Sequence, residues 1–240
     1  MKTIIILLCF ITIRLNAQNY KIGYLEKIDL SNGTLSEPFK KQCFLLLNED
    51  SSLFSSFNNE NTSNQEVMQK DGNRSRVINR NDTLQIFKNK VDKVVITDKK
   101  LFTSKKIVLD SLGLMKWELS NEQKTILGYN CYKATTKFRG REFEVFYTAK
   151  IPISDGPRNF YGLPGVILYV KLMNSIHTYE IEAISITNSN EKIKNPFKDI
   201  KTMSFEDFKK LYKKKHKELG NYSGGENVLS KGGLENLIDE

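Results

Sequence analysis

Side chains able to do chemistry are few and scattered along this chain. There are two histidines, His177 and His216, and neither stands in a HExxH or beside a CxxC, so no zinc-ligand spacing is present. No GxSxG elbow and no glycine-rich phosphate loop occurs. Glu142, Glu144, Glu180 and Glu182 lie in alternating segments where carboxylates read as a charged surface. No catalytic residue, cofactor or metal is therefore assigned. Polar and aromatic groups concentrate in one run, where Gly156-Pro157 and Gly162-Leu163-Pro164-Gly165-Val166-Ile167 bracket Asp155, Arg158, Phe160 and Tyr161. Pro164-Gly165 suits the centre of a type II turn, since proline presets the first central residue and glycine accepts positive φ at the second. The run reads either as a tight crossover and nothing more, or as a rigid rim whose Asp155, Arg158, Phe160 and Tyr161 touch a ligand or partner.

The elements around this run are mostly strands. Residues 19–29 alternate apolar and polar, and 42–47 read as a second strand. Residues 58–82 are rich in Asn, Ser, Gln, Glu and Arg and read as a mobile loop. Strand-like runs resume at 84–87, 93–97, 101–109 and 115–119. Arg139-Gly140 is a two-residue turn candidate between 131–138 and 141–149. That register places Tyr132 opposite Tyr147, Ala134 opposite Val145 and Thr136 opposite Phe143. Lys137 with Glu142 and Thr135 with Glu144 then share the other face, so apolar and charged pairs segregate. A second hairpin joins 166–173 to 176–186 through Asn174-Ser175, pairing Val170 with Tyr179 and Leu168 with Ile181.

Consecutive hairpins of this kind make a meander that must curl or be covered. The expected fold is mainly β: a curved antiparallel meander sheet, open or half-barrel-like, with a C-terminal amphipathic helix. Ser204 and Asp207 form a capping box for that helix, and Phe205, Phe208, Leu211 and Tyr212 mark its apolar stripe. Tyr132, Tyr147 and Tyr179 would floor a cavity on the inner face, or else fill an ordinary core.

The ends and the charge bound the setting. Met1-Lys2, an apolar run and Ala17 read as a signal peptide over 1–17, too short to span a bilayer. Residues 18–219 form one β-rich domain, and the Gly-rich 220–240 read as a flexible tail. The product is expected in the periplasm or outside the cell. The net charge of +9 in an exported protein points away from nucleic acid. It points toward an envelope protein or an anionic membrane surface, the latter through the helix's Lys209, Lys210, Lys213, Lys214 and Lys217. Cys43 and Cys131 form a candidate disulfide in an oxidising compartment, with free buried thiols as the alternative.

Several pieces in order resemble the GLPGLI family of exported Bacteroidota proteins. They are Trp117-Glu118-Leu119, Gly128-Tyr129-Asn130-Cys131-Tyr132-Lys133-Ala134, Phe138-Arg139-Gly140-Arg141, Tyr147-Thr148 and the 151–167 run. Val166 departs from the leucine of the family's name motif. The resemblance implies a curved antiparallel sheet with an apolar concave face, as in periplasmic lipoprotein carriers, and no established activity. The expected function is a non-enzymatic envelope protein that binds or carries an apolar or peptide-like ligand. The alternatives are an accessory subunit of an outer-membrane transport or surface assembly and, last, a hydrolase or maturation factor.

Overall fold

The computed structural model describes residues 19–29, 39–57, 65–68, 74–77, 83–101, 104–175, 178–222, 235 and 237. The expected signal peptide lies outside these residues, as do His177 and most of 58–82. Within 58–82 the described pieces are two short strands, β4 (Gln65–Met68) and β5 (Arg74–Val77), which pair with each other.

The remaining strands form one open, curved sheet of twelve. Its first meander comprises β1 (Asn19–Asp29), β2 (Phe39–Leu47), β3 (Ser51–Phe57), β6 (Leu84–Asn89), β7 (Val94–Leu101) and β8 (Ser104–Ser111). The second comprises β9 (Glu118–Ile126), β10 (Tyr129–Phe138), β11 (Arg141–Thr148), β12 (Val166–Met173) and β13 (Thr178–Ser189). Antiparallel pairing of β1 with β13 joins the two meanders. One edge is β9. The other is the two-residue β14 (Met203–Ser204), parallel to β8 and leading into helix α1 (Phe205–Tyr222).

Local chemistry explains the sharpest elements. Phe138 pairs with Arg141 across a turn in which Arg139 and Gly140 both have positive φ, 47° and 66°, the primed geometry that suits strand twist. The expected pairs Tyr132–Tyr147, Ala134–Val145 and Lys137–Glu142 all form. Ser204 Oγ accepts the Asp207 N–H at 3.1 Å and donates to Asp207 Oδ2 at 2.7 Å, closing the helix cap. The second hairpin is displaced: Val170 meets Ile181 rather than Tyr179, and Lys171 meets Glu180. Asn174 takes φ of 49° without a following glycine, and four residues join the strands instead of two. A slip of two preserves the faces, so Val170, Tyr179, Ile181 and Ala183 still share the core.

Besides β4 and β5, which fall in the segment read as a loop, β3 was missed in sequence and β9 was read only at its start, within 115–119. β3 alternates serine with Leu53 and Phe54, which masks its apolar phase. β9 is exposed over all but its last residue, so it carries no buried phase at all. Its pairing with β10 slips between Tyr132 and Ala134, leaving residues 120–122 outside the ladder. Such a bulge blunts an edge against further strand addition.

Candidate functional site

The segment joining β11 to β12 is the place where charged and aromatic groups converge. It is a plug rather than a rim. Ile151, Ile153, Asp155, Phe160 and Leu163 are all buried, and the four apolar ones belong to the main core with Ile22, Tyr24, Leu45 and Val145. Phe160 shows how the sheet is shaped around it. Its carbonyl accepts a hydrogen bond from Lys88 Nζ on β6 at 3.1 Å, while its ring packs edge-on to Phe143 on β11 at 5.0 Å. Six inter-strand spacings, roughly 29 Å along the sheet, separate those strands. Two side chains cannot bridge that distance on a flat sheet, so the sheet curls about the plug.

Two glycines allow the close approach. Gly165 would place a Cβ 2.1 Å from the Thr148 carbonyl oxygen, and Gly156 would place one 2.9 Å from Ile167 Cβ. The turn at Pro164 is tighter than the expected type II turn: Gly165 N–H donates to the Leu163 carbonyl at 2.8 Å, and Gly165 has φ of 152°. Trp117 Nε1 donates to the Tyr161 carbonyl at 3.0 Å, fixing the descending arm.

Three charge networks hold the plug and its surroundings. In the first, Asp155 and Lys88 are both completely buried, with Lys88 Nζ 2.6 Å from Asp155 Oδ1 and 2.6 Å from the Gly156 carbonyl. Lys90 Nζ lies 2.8 Å from Asp155 Oδ2. Burial by itself would raise the Asp155 carboxyl, but Lys88 and Lys90 hold it below the usual carboxylate range. Burial lowers the Lys88 ammonium against the pull of Asp155.

In the second network, Glu26 Oε1 accepts from Arg158 Nε at 2.6 Å and from the Tyr179 hydroxyl at 2.8 Å. Arg158 has φ of 51° in a turn closed by Phe160 N–H donating to the Pro157 carbonyl. Burial disfavours its charge, and Glu26 more than restores it, so the guanidinium stays firmly protonated. Burial also pushes the Tyr179 hydroxyl well above its ordinary value. In the third network, Glu235 bridges Lys99 and Arg139.

The candidate residues therefore separate. Asp155, Arg158 and Phe160 come together, but as anchors of the plug, with about a fifth of the Arg158 side chain exposed. Tyr161 is half-buried, and Tyr132 is exposed on β10. Tyr147 and Tyr179 are buried core residues, as are Val145, Leu168 and Val170. Tyr132 apart, the side chains expected to floor a cavity are thus packed in the main core. A crevice of about 10 Å³ beside Val95, Asp110, Phe138 and Tyr161 has room for about one water. A shallow open cleft of about 410 Å³ lies at the hairpin tips, lined by Lys137, Arg141, Glu142 and Met173.

In the structure Cys43 and Cys131 are free, buried thiols rather than a bridged pair. Burial raises the Cys43 thiol, with Glu26 adding to the effect, and burial pushes Cys131 up to about 11. Neither is a thiolate nucleophile at neutral pH. Among the described residues no three His, Cys, Asp or Glu side chains group as metal ligands, and no helix is long and apolar enough to cross a membrane. His216 sits on α1 beside the Tyr212 ring, half-buried.

Sequence reasoning missed Glu26, Lys88 and Lys90. A signal for two of them existed. Glu26 is in phase with Tyr20, Ile22, Tyr24 and Ile28, and Lys88 is in phase with Leu84 and Ile86. A charge on a core phase requires a buried partner.

Comparison with known proteins matches residues 89–208 to a family described as N-glycanase peptide, N-terminal domain. Two solved structures of PNGF-II, in space groups C2 and P21, are each 19% identical over 82% of this chain, with TM-scores of 0.53 and 0.54. The match takes in 33% of those chains, so this chain spans about a third of their length. A lipoprotein-sorting protein domain of the outer membrane from Vibrio parahaemolyticus is 9% identical over 75% of this chain and 89% of its own, with a TM-score of 0.28, too low to carry an argument. No curated protein matches the chain.

Proposed function

The chain belongs to the N-glycanase peptide, N-terminal domain family, and from that premise we propose that it is a non-enzymatic accessory module of the bacterial envelope that works by docking on another envelope component. The observation that carries this reading is the filled concave face. The 151–165 plug occupies the site where a ligand or substrate would enter, and Asp155, Lys88, Glu26 and Arg158 are consumed in holding it there. A charged group locked in a buried pair is unavailable as an acid, base or nucleophile. Export is supported by the charged and then apolar N-terminus. An accessory role is supported by the family's own description as an N-terminal domain and by the much longer chains of its solved relatives. The partner fits an outer-membrane transport or surface assembly.

Native mass spectrometry of the protein purified gently from its own envelope tests this directly. The expected result is an apo mass, together with crosslinking that captures the same envelope protein in repeated preparations. A reproducible extra mass lost on denaturation would overturn the reading in favour of ligand carriage. Release of glycan from a denatured glycoprotein by the pure chain would overturn its non-enzymatic part.

A further inference from the structure

The third charge network joins the domain to a short piece of chain beyond α1. Glu235 Oε1 accepts from Arg139 Nη1 at 2.6 Å and from Asn159 Nδ2 at 3.4 Å, and Oε2 pairs with Lys99. Arg139 also pairs with Asp110, and its guanidinium carbon lies 3.2 Å from the Phe205 ring centroid and 4.8 Å from that of Phe138. Two residues on, Leu237 is buried in a separate apolar cluster with Leu101, Val108, Phe205, Phe208 and Tyr212.

The cradle and its occupant are different parts of the chain. Lys99, Asp110, Arg139, Asn159 and Phe205 all lie within the region matched to the family, 89–208, whereas Glu235 and Leu237 lie outside it. Without Glu235 the cradle holds two cations against the single carboxylate of Asp110, beside the apolar cluster that Leu237 joins. That combination selects a carboxylate followed at short range by a branched apolar side chain. Burial would raise the Glu235 carboxyl, and Lys99 and Arg139 bring it below its ordinary value.

We infer that the Lys99–Arg139–Phe205 cradle is a docking site for a carboxylate-x-leucine peptide segment, and that residues 235–237 of this chain are its resident occupant. The segment docks in cis because residues 223–234 connect it to α1. A connection of twelve residues gives an effective concentration on the order of millimolar. The inference stands apart from the accessory-module reading, since its occupant lies within this chain and not in an envelope partner.

The test uses the full chain and a fluorescein-labelled peptide of residues 230–240. In the Glu235→Gln/Leu237→Ala double variant the cradle is vacated, and the peptide should bind about tenfold more tightly than to the wild type, where the tethered segment competes. Adding Arg139→Met to the double variant should weaken peptide binding by tenfold or more. A second measurement does not depend on those variants folding. A protease site is placed within residues 224–229 of the otherwise native chain and cut after folding. The severed segment should remain bound in native mass spectra and be displaced by excess labelled peptide. The inference is overturned if the severed segment leaves at once and the peptide shows no binding up to millimolar concentration. Equal binding with and without Arg139→Met overturns it as well.

Discussion

Replacing Asp155 by alanine probes the plug at its most buried charge. In the folded protein Asp155 neutralises Lys88, which is fully buried, and Lys90, whose side chain is 6% exposed. Its Oδ1 also accepts the Gly156 N–H at 2.8 Å. Removing one partner of a buried ion pair costs about 3–5 kcal/mol, because the remaining charge is left without compensation in a low-dielectric interior. The orphaned Gly156 N–H falls within that range rather than adding a separate large penalty. For a domain of this size, 1 kcal/mol shifts Tm by about 2–4 °C, so Asp155→Ala should lower Tm by roughly 6–20 °C. Urea unfolding at pH 7, followed by tryptophan fluorescence from Trp117, gives the free-energy change independently. A Lys88→Met/Asp155→Leu double variant removes the fully buried pair, leaves Lys90 donating to the Asn48 carbonyl, and should be closer to the wild type than Asp155→Ala alone. A loss below about 1 kcal/mol for Asp155→Ala, or a double variant as unstable as the single one, would refute the claim that this pair locks the plug.

Three further outcomes follow from the same structure. Gly165→Ala should destabilise by more than about 2 kcal/mol because its Cβ would meet the Thr148 carbonyl, whereas Gly128→Ala, at φ of 81° in open space, should cost only about 1–2 kcal/mol; denaturant midpoints compare them. Asp155 and Glu235 both have folded-state pKa values below their ordinary 3.8 and 4.5, so the stability they confer is complete above the unfolded values and is lost as pH falls through the folded ones. Thermal melts should therefore drop steeply below about pH 4, and less steeply in Asp155→Asn. Cys43 and Cys131 should resist a thiol reagent in the native protein and both react on denaturation without reductant; a denatured chain in which neither reacts would show a bridge.

Local chemistry made part of this architecture legible in the sequence. The β10–β11 register followed from Arg139-Gly140 and from the segregation of apolar and charged pairs across a two-residue turn. The helix start followed from Ser204 and Asp207, which satisfy its first N–H groups within three residues. In each case the determining groups are neighbours in the chain. The β12–β13 register was legible only in its faces, because face depends on a period of two while register depends on the turn, and Asn174 takes an unannounced conformation.

What the tertiary structure alone decided is the fate of the charges. Asp155 meets Lys88 across 67 residues and Arg158 meets Glu26 across 132. No local pattern ties such pairs together, although Glu26 and Lys88 sit on core phases that demand partners. The amino-acid sequence by itself determined that the protein would be a meander of hairpins with a capped helix, because hydrophobic period and turn chemistry act over a few residues. Only the curling of twelve strands about residues 151–165 turned a glycine- and proline-punctuated loop into the centre of the core, because burial is set by what closes over a segment rather than by the segment.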